Sequence, residues 1–277
     1  MPEPRPSMRP SGPVLLAMAC FALPLLVVVA AAVHGQDGHR VDLDAVLAGM
    51  SAAHPLGCDD LGRDVLARLA EATRLSLGVG IGVIVLAGAI GITLGVIAGW
   101  YGGWVDVLLM RAADIVLSFP GILLAIAMAA MLGPSVENII YALVAVGWVG
   151  FARLARGQVL SLKHAPFIEA SFAAGSGLAY QVSRHLLPNI AAPLLIEASF
   201  GLAAVIIGEA GLSFLGVGVQ PPAASLGTMI REGTGLMLVA PAQVIWPGLV
   251  LFLLVMGVNI LGDALRDRLD VKREAQA

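Results

Sequence analysis

The side chains able to do chemistry in this sequence are few, and their spacing argues against the common catalytic centres. Five histidines, His34, His39, His54, His164 and His185, are scattered along the chain, whereas a zinc protease needs His-Glu-x-x-His to bring two imidazoles onto one helical face. The two lysines, Lys163 and Lys272, follow a leucine and a valine; the phosphate cradle of a P-loop ATPase requires a glycine there. Gly175-Ser176-Gly177 is the nearest approach to a membrane serine-protease signature, and it lies in a polar segment. Cys20 sits in an apolar run and Cys58 in a polar stretch, settings too different for a disulfide or a shared metal site. With 16 basic against 19 acidic residues the formal net charge is -3, which disfavours nucleic-acid binding. The chain is therefore expected to be no enzyme, to carry no ATPase site, and to hold no cofactor or metal of its own.

What remains is one patterned polar segment and two acids in apolar surroundings. Between residues 153 and 192, Arg153, Arg156, Lys163 and Arg184 stand against the single acid Glu169. Pro166 suits a first helical position, Gly175 and Gly177 let the backbone reverse, and Pro188 is expected to stop a second helix. The result is two short helices across a glycine hinge. Leu178, Val182 and Leu186 recur at i, i+4 and i+8 on one face. A narrow apolar ridge of this kind fits either a groove on a partner protein or the headgroup region of a bilayer. Glu209 lies deep in an apolar run, where an ionised carboxylate costs at least about 2.5 kcal/mol at the bilayer centre. It is expected either to line a translocation path or to hold the bundle together by hydrogen bonding. Glu197 is expected nearer the interface, and Arg111 with Asp114 as an interfacial ion pair at i, i+3.

The elements that must position these residues follow from composition. Hydrophobic residues make up 58% and charged residues 13% of the 277, and the mean hydropathy is +0.91, whereas soluble domains carry about 25% charged residues. Apolar runs at 14–33, 75–100, 115–132, 139–151, 194–219 and 244–261 approach the length that crosses a bilayer of roughly 30 Å. An all-α, polytopic membrane protein with about six transmembrane helices is the expected fold. Residues 1–13 read as a tail, 14–33 as the first transmembrane helix, and 34–74 as an acid-rich loop. Residues 75–262 read as the core transmembrane domain, including the 153–192 segment, and 263–277 as a second tail. The run at 14–33 is too long for a signal-peptide core. Glycines at 78, 82, 91, 95 and 99 give the small-xxx-small spacing that lets helices approach closely, and Pro120 is expected to kink the third span. Lysine and arginine collect in the N-terminal tail, the 101–114 turn, the 153–192 segment and the C-terminal tail. By the positive-inside rule those regions, and both termini, are cytoplasmic.

Glu169-Ala170-Ser171, three residues, Gly175, nine residues, then His185-Leu186-Leu187-Pro188 resembles the EAA loop of ABC importer permeases, with Ser171 at an alanine position and His185 at an isoleucine position. The His-hydrophobic-Leu-Pro-Asn ending looks like the peptide and nickel branch. So do 54–64, in which Cys58 stands where threonine is usual, 212–222, and 262–267. The similarity runs from about residue 54 to 270. It implies a type I ABC importer permease fold in a bacterial inner membrane. Implied partners are a homologous second permease, two cytoplasmic ATP-binding subunits and an external solute-binding protein. ATP would be bound by the partner subunits, and di- or oligopeptides moved by alternating access. Glu169, Ala170, Gly175, Leu178, Val182, Leu186 and Pro188 would couple the ATPase to the spans, and Glu209 would line the path or pack the bundle. Nickel import is the alternative within the family. An ATP-independent channel or carrier is the alternative outside it, although a carrier should show paired interrupted helices in two halves and the Glu-Ala-Ser…Gly…Leu-Pro pattern occurs once.

Overall fold

The computed structural model describes residues 12–274; the remainder of the two expected tails lies outside the described residues. The architecture is nearly all helical. Helix α1 spans Gly12–His34, α2 Val65–Tyr101, α3 Gly103–Leu117, α4 Gly121–Leu132, α5 Val136–Leu162 and α6 Pro166–Ala173. A helix over Leu178–Phe214 follows as α7, then α8 over Leu226–Thr234 and α9 over Ala242–Glu274. Five of these are long and apolar enough to cross a membrane, and α3 with α4, bent by 85°, make a sixth span if taken together.

Several boundaries differ from those read in the sequence: α9 runs to Glu274, through most of the stretch read as the second tail, and three more differ among the first five helices. Helix α2 begins at Val65, inside the stretch expected to be loop. Asp64 caps it by accepting a hydrogen bond from the Ala67 N–H at 2.7 Å, and Val65, Leu66, Leu69 and Ala72 bury one face. The interspersed Arg68, Glu71 and Arg74 lower the local hydropathy without interrupting the helical period. The third span breaks rather than kinks. Pro120 has no N–H and disfavours helical geometry at the residue before it, so α3 ends at Leu117 and α4 restarts at Gly121. Asp106, Arg111 and Asp114 therefore lie on a helix, not in a turn. Finally, α5 continues past Arg153 and Arg156 to Leu162, which gives the short fourth run a full span.

The bundle is welded along the α2–α5 seam. A methyl group added at Gly91 would fall 2.3 Å from the Trp148 carbonyl oxygen, one at Gly95 2.3 Å from that of Ala152, and one at Gly99 2.9 Å from the Val159 side chain. The expected glycine stripe thus brings two backbones into contact at Gly91, Gly95 and Gly99, whereas Gly78 and Gly82 of the same stripe face open space. Helix α7 packs across α2 and α9, while α1 lies against α9. At the end of the bundle carrying the 34–64 segment, Leu66, Leu69, Leu226 and Leu254 form one core. At the other end Phe151, Val159, Ile168, Leu186 and Ile190 form another.

Candidate functional site

The helix-hinge-helix expected near residue 170 is present. Pro166 opens α6, where its missing N–H removes a donor that would have no partner. At Gly175 the backbone turns at φ +87°, a region that costs residues with a Cβ. Gly177 has φ -79°, so the reversal rests on Gly175 alone. The expected stop at Pro188 does not occur. Residues Gln181–Leu186 form a π-helical turn, with the Leu187 N–H bonded to the Val182 carbonyl oxygen. That wider turn accommodates the proline ring and its missing donor. The second arm therefore runs without interruption through Pro188 and Pro193 into the membrane-spanning part of α7.

The apolar ridge faces inward. Leu186 is fully buried against the core formed by Phe151, Val159, Ile168 and Ile190, and Val182 packs on the same cluster. Leu178 and Val182 line a cavity shared with Val96 and Trp100 of α2. The opposite surface presents Glu169, Ala170 and Gly175, all exposed, with Phe167, Phe172 and Tyr180. Across the hinge, a hydrogen-bonded set that the sequence did not single out fastens the two arms. Ser176 Oγ donates to the Ser171 carbonyl oxygen at 2.6 Å, and Gln181 Nε2 donates to Ser176 Oγ at 2.8 Å. His185 Nε2 lies 3.2 Å from Ser171 Oγ, and the His185 ring packs against Phe167 and Tyr180. The signal for Gln181 was available, since it shares a helical face with Leu178 and the core side of the ridge; its partner five residues earlier was not, because that pair meets only across the hinge.

The segment is braced to the spans by charge. Arg156 forms a forked pair with Asp106 of α3, its Nη2 lying 2.6 Å from Oδ2. Arg153 Nη2 donates to Asp114 Oδ1 at 2.6 Å. The expected Arg111–Asp114 pair is longer, at 3.6 Å, so Asp114 is held mainly across helices. Lys163 Nζ donates to the Gly99 carbonyl oxygen at 3.2 Å.

The two acids occupy different environments. Glu209 is fully buried. It accepts hydrogen bonds from Ser76 Oγ of α2 at 2.7 Å and from Ser213 Oγ at 2.9 Å, and is absent from the lining of the central cavity. Glu197, itself half-buried, lines that cavity, a half-open cleft of about 360 Å³ between α2, α4, α5 and α7. At the other end of the molecule, Arg63 and Arg68 converge on Asp59 and Glu232, with Arg63 Nε 2.7 Å from Asp59 and Arg68 Nη2 3.0 Å from Glu232. Beside them, burial and then the charges of Asp64, Asp59 and Asp42 push the Cys58 thiol above its usual pKa.

Residues 91–274, from within α2 through α9 and including the hinge segment, match the family of binding-protein-dependent transport system inner membrane components. Similar proteins include the glutathione transport system permease protein GsiD of Pectobacterium atrosepticum, 42% identical over 83% of this chain and 77% of that protein. The dipeptide transport system permease protein DppC of Alkalihalophilus pseudofirmus is 43% identical over 83% of this chain and 75% of that protein. Its counterpart in Haemophilus influenzae is 39% identical over 81% and 76%. Among solved structures, the inward-facing methionine ABC transporter MetNI is similar with a TM-score of 0.56 at 19% identity, over 72% of this chain and 96% of that one. The fold is that of a type I ABC importer permease. The chain belongs to the family of binding-protein-dependent transport system inner membrane components. It is a multi-pass inner-membrane transport subunit that works with ATPase and other partner subunits.

Proposed function

We propose that this chain is the permease of a peptide importer, moving di- or oligopeptides across the bacterial inner membrane by alternating access. The glutathione and dipeptide permeases to which it is similar support that substrate class. The observation that carries the mechanism is the two-sided hinge segment. Its inner face is buried in the bundle through Ile168, Leu186 and Ile190, and its outer face, with Glu169, Phe172 and Tyr180, is exposed. A force applied to the outer face is transmitted to α7 without an intervening loop, because the second arm and the span are one helix.

The ATP-binding subunits dock on that outer face, and ATP is bound and hydrolysed by those subunits rather than by this chain. Glu169, Ala170 and Gly175 make the docking surface; Leu178, Val182 and Leu186 couple it to the bundle from within, and the exposed Pro188 lies where the second arm runs on into the span. A homologous second permease completes the membrane unit, two ATPases drive it, and an external solute-binding protein delivers the peptide. The hinge segment and both termini face the cytoplasm, as the distribution of Lys and Arg requires.

Uptake of a labelled dipeptide and of labelled nickel, in the same cells with and without this gene, tests the reading. Loss of dipeptide uptake alone is the expected result. Undiminished dipeptide uptake in the deletion strain overturns it, and loss of nickel uptake alone reassigns the substrate to the metal.

A further inference from the structure

Glu197 is the ionisable side chain in the wall of the central cavity, whose other lining residues are apolar or small. Among the described residues, no hydrogen-bond or ion-pair partner reaches its carboxylate, in contrast to Glu209, which two serines hold. Space for it is built in. A methyl group at Gly150 of α5 would fall 2.4 Å from Glu197 Oε1, so a side chain there would make the flexible carboxylate swing away from that helix. Gly147 and Gly201, one turn from Gly150 and Glu197, also line the cavity and keep its wall low on either side. The volume of about 360 Å³ falls within the range of small-molecule pockets, roughly 300–1,000 Å³.

An acid inside a membrane-spanning bundle faces water, a partner or a substrate, because hydrocarbon does not solvate its charge. Here the residue faces a cavity, and among the described residues none compensates it. A carboxylate on an otherwise apolar wall attracts a cation when it is ionised, and more strongly than the same group does in bulk water. The substrate class supported above carries such a group at every amino terminus. We propose that Glu197 is a recognition contact of the translocation cavity, receiving the α-ammonium group of a peptide in passage. The inference rests on the peptide-importer reading and adds to it the residue that reads the substrate's charge inside the membrane.

The test separates delivery from passage. Uptake of labelled alanyl-alanine is measured over a concentration range in cells carrying the intact transporter with the wild-type chain, Glu197→Gln or Glu197→Asp, each normalised to the amount of permease in the membrane. Because Glu197 acts after delivery, Glu197→Gln should lower the maximal rate about tenfold, the scale of a lost hydrogen bond to a charged group, while KM stays within about twofold. Glu197→Asp should recover part of the rate. Gly150→Ala, which displaces the carboxylate, should slow wild-type uptake yet add little to Glu197→Gln. An unchanged normalised maximal rate in Glu197→Gln, or full additivity with Gly150→Ala, overturns the assignment. If wild-type cells import no more dipeptide than the deletion strain, the peptide-importer reading itself fails, an outcome distinct from a variant that matches an active wild type.

Discussion

At Gly175 the chain adopts φ +87°, and nothing lies within 4 Å of the position a Cβ would take. Substitution there is therefore opposed by the backbone and not by a clash. A residue with a Cβ pays about 1–2 kcal/mol in this region, and a β-branched one is a steeper outlier, while asparagine enters it more readily. Gly175→Val should leave the bundle inserted and ATP hydrolysis by the assembled transporter running, but cut peptide uptake by roughly five- to thirtyfold, the span to which 1–2 kcal/mol corresponds. Gly175→Asn should retain most of the uptake. Parallel uptake and ATPase measurements on both variants check this, and normal uptake by Gly175→Val would remove the hinge from the coupling path. The nearby residues divide in how far they could be read. The glycine hinge and Pro166 announce themselves by type and spacing, whereas Ser171, Ser176 and Gln181 are ordinary polar residues until the hinge brings them within hydrogen-bond distance.

Among the elements, the α2–α5 seam holds the bundle most closely. A side chain at Gly95 would meet the Ala152 carbonyl oxygen at 2.3 Å and the Ala155 Cβ at 2.8 Å, and backbone cannot yield as a rotamer does. Gly95→Leu should lower the thermal stability of the purified permease markedly, by at least the 1–3 kcal/mol or so that overpacking costs. Gly78→Leu, on the same helix but facing open space, should leave it nearly unchanged. A melting experiment in detergent that found both variants equally stable would contradict a close-packed seam. The stripe was legible because small-xxx-small spacing survives without knowledge of the partner helix; that α5 is the partner was not. Helix ends were harder to place. Hydropathy sees the apolar middle of α2 but not its first ten residues, where Arg68, Glu71 and Arg74 are interspersed among buried apolar residues, and Pro188 carries the sequence mark of a stop while the π-helical turn ahead of it keeps α7 continuous.

Over the whole molecule, a charged clasp joins distant parts of the chain at one end of the bundle. Arg68, at the start of α2, is 3% exposed; it contacts Asp59 of the preceding segment and Glu232 of α8. Breaking a buried ion pair costs up to about 3–5 kcal/mol, and here Arg63 still reaches Asp59 and Glu232, so the loss falls on the link through α2. Arg68→Leu should release the 34–64 segment from α8, seen as faster proteolysis within 34–64 while the membrane-embedded part stays protected. Unchanged cleavage would mean that apolar packing of Leu66, Leu69 and Leu226 secures that end alone.

The sequence by itself determined that this is a helical, multi-spanning membrane protein of the binding-protein-dependent importer family, because apolar run length and a spaced Glu-Ala-Ser…Gly…Leu-Pro motif are properties of local sequence. It also located the hinge, which depends on residue type alone. Only the tertiary structure decided which way the hinge's ridge faces, since helical period defines a face but not its neighbour. It also separated Glu209 from Glu197. Both are acids in apolar runs of one helix, and only packing shows that serines enclose the first while a cavity meets the second.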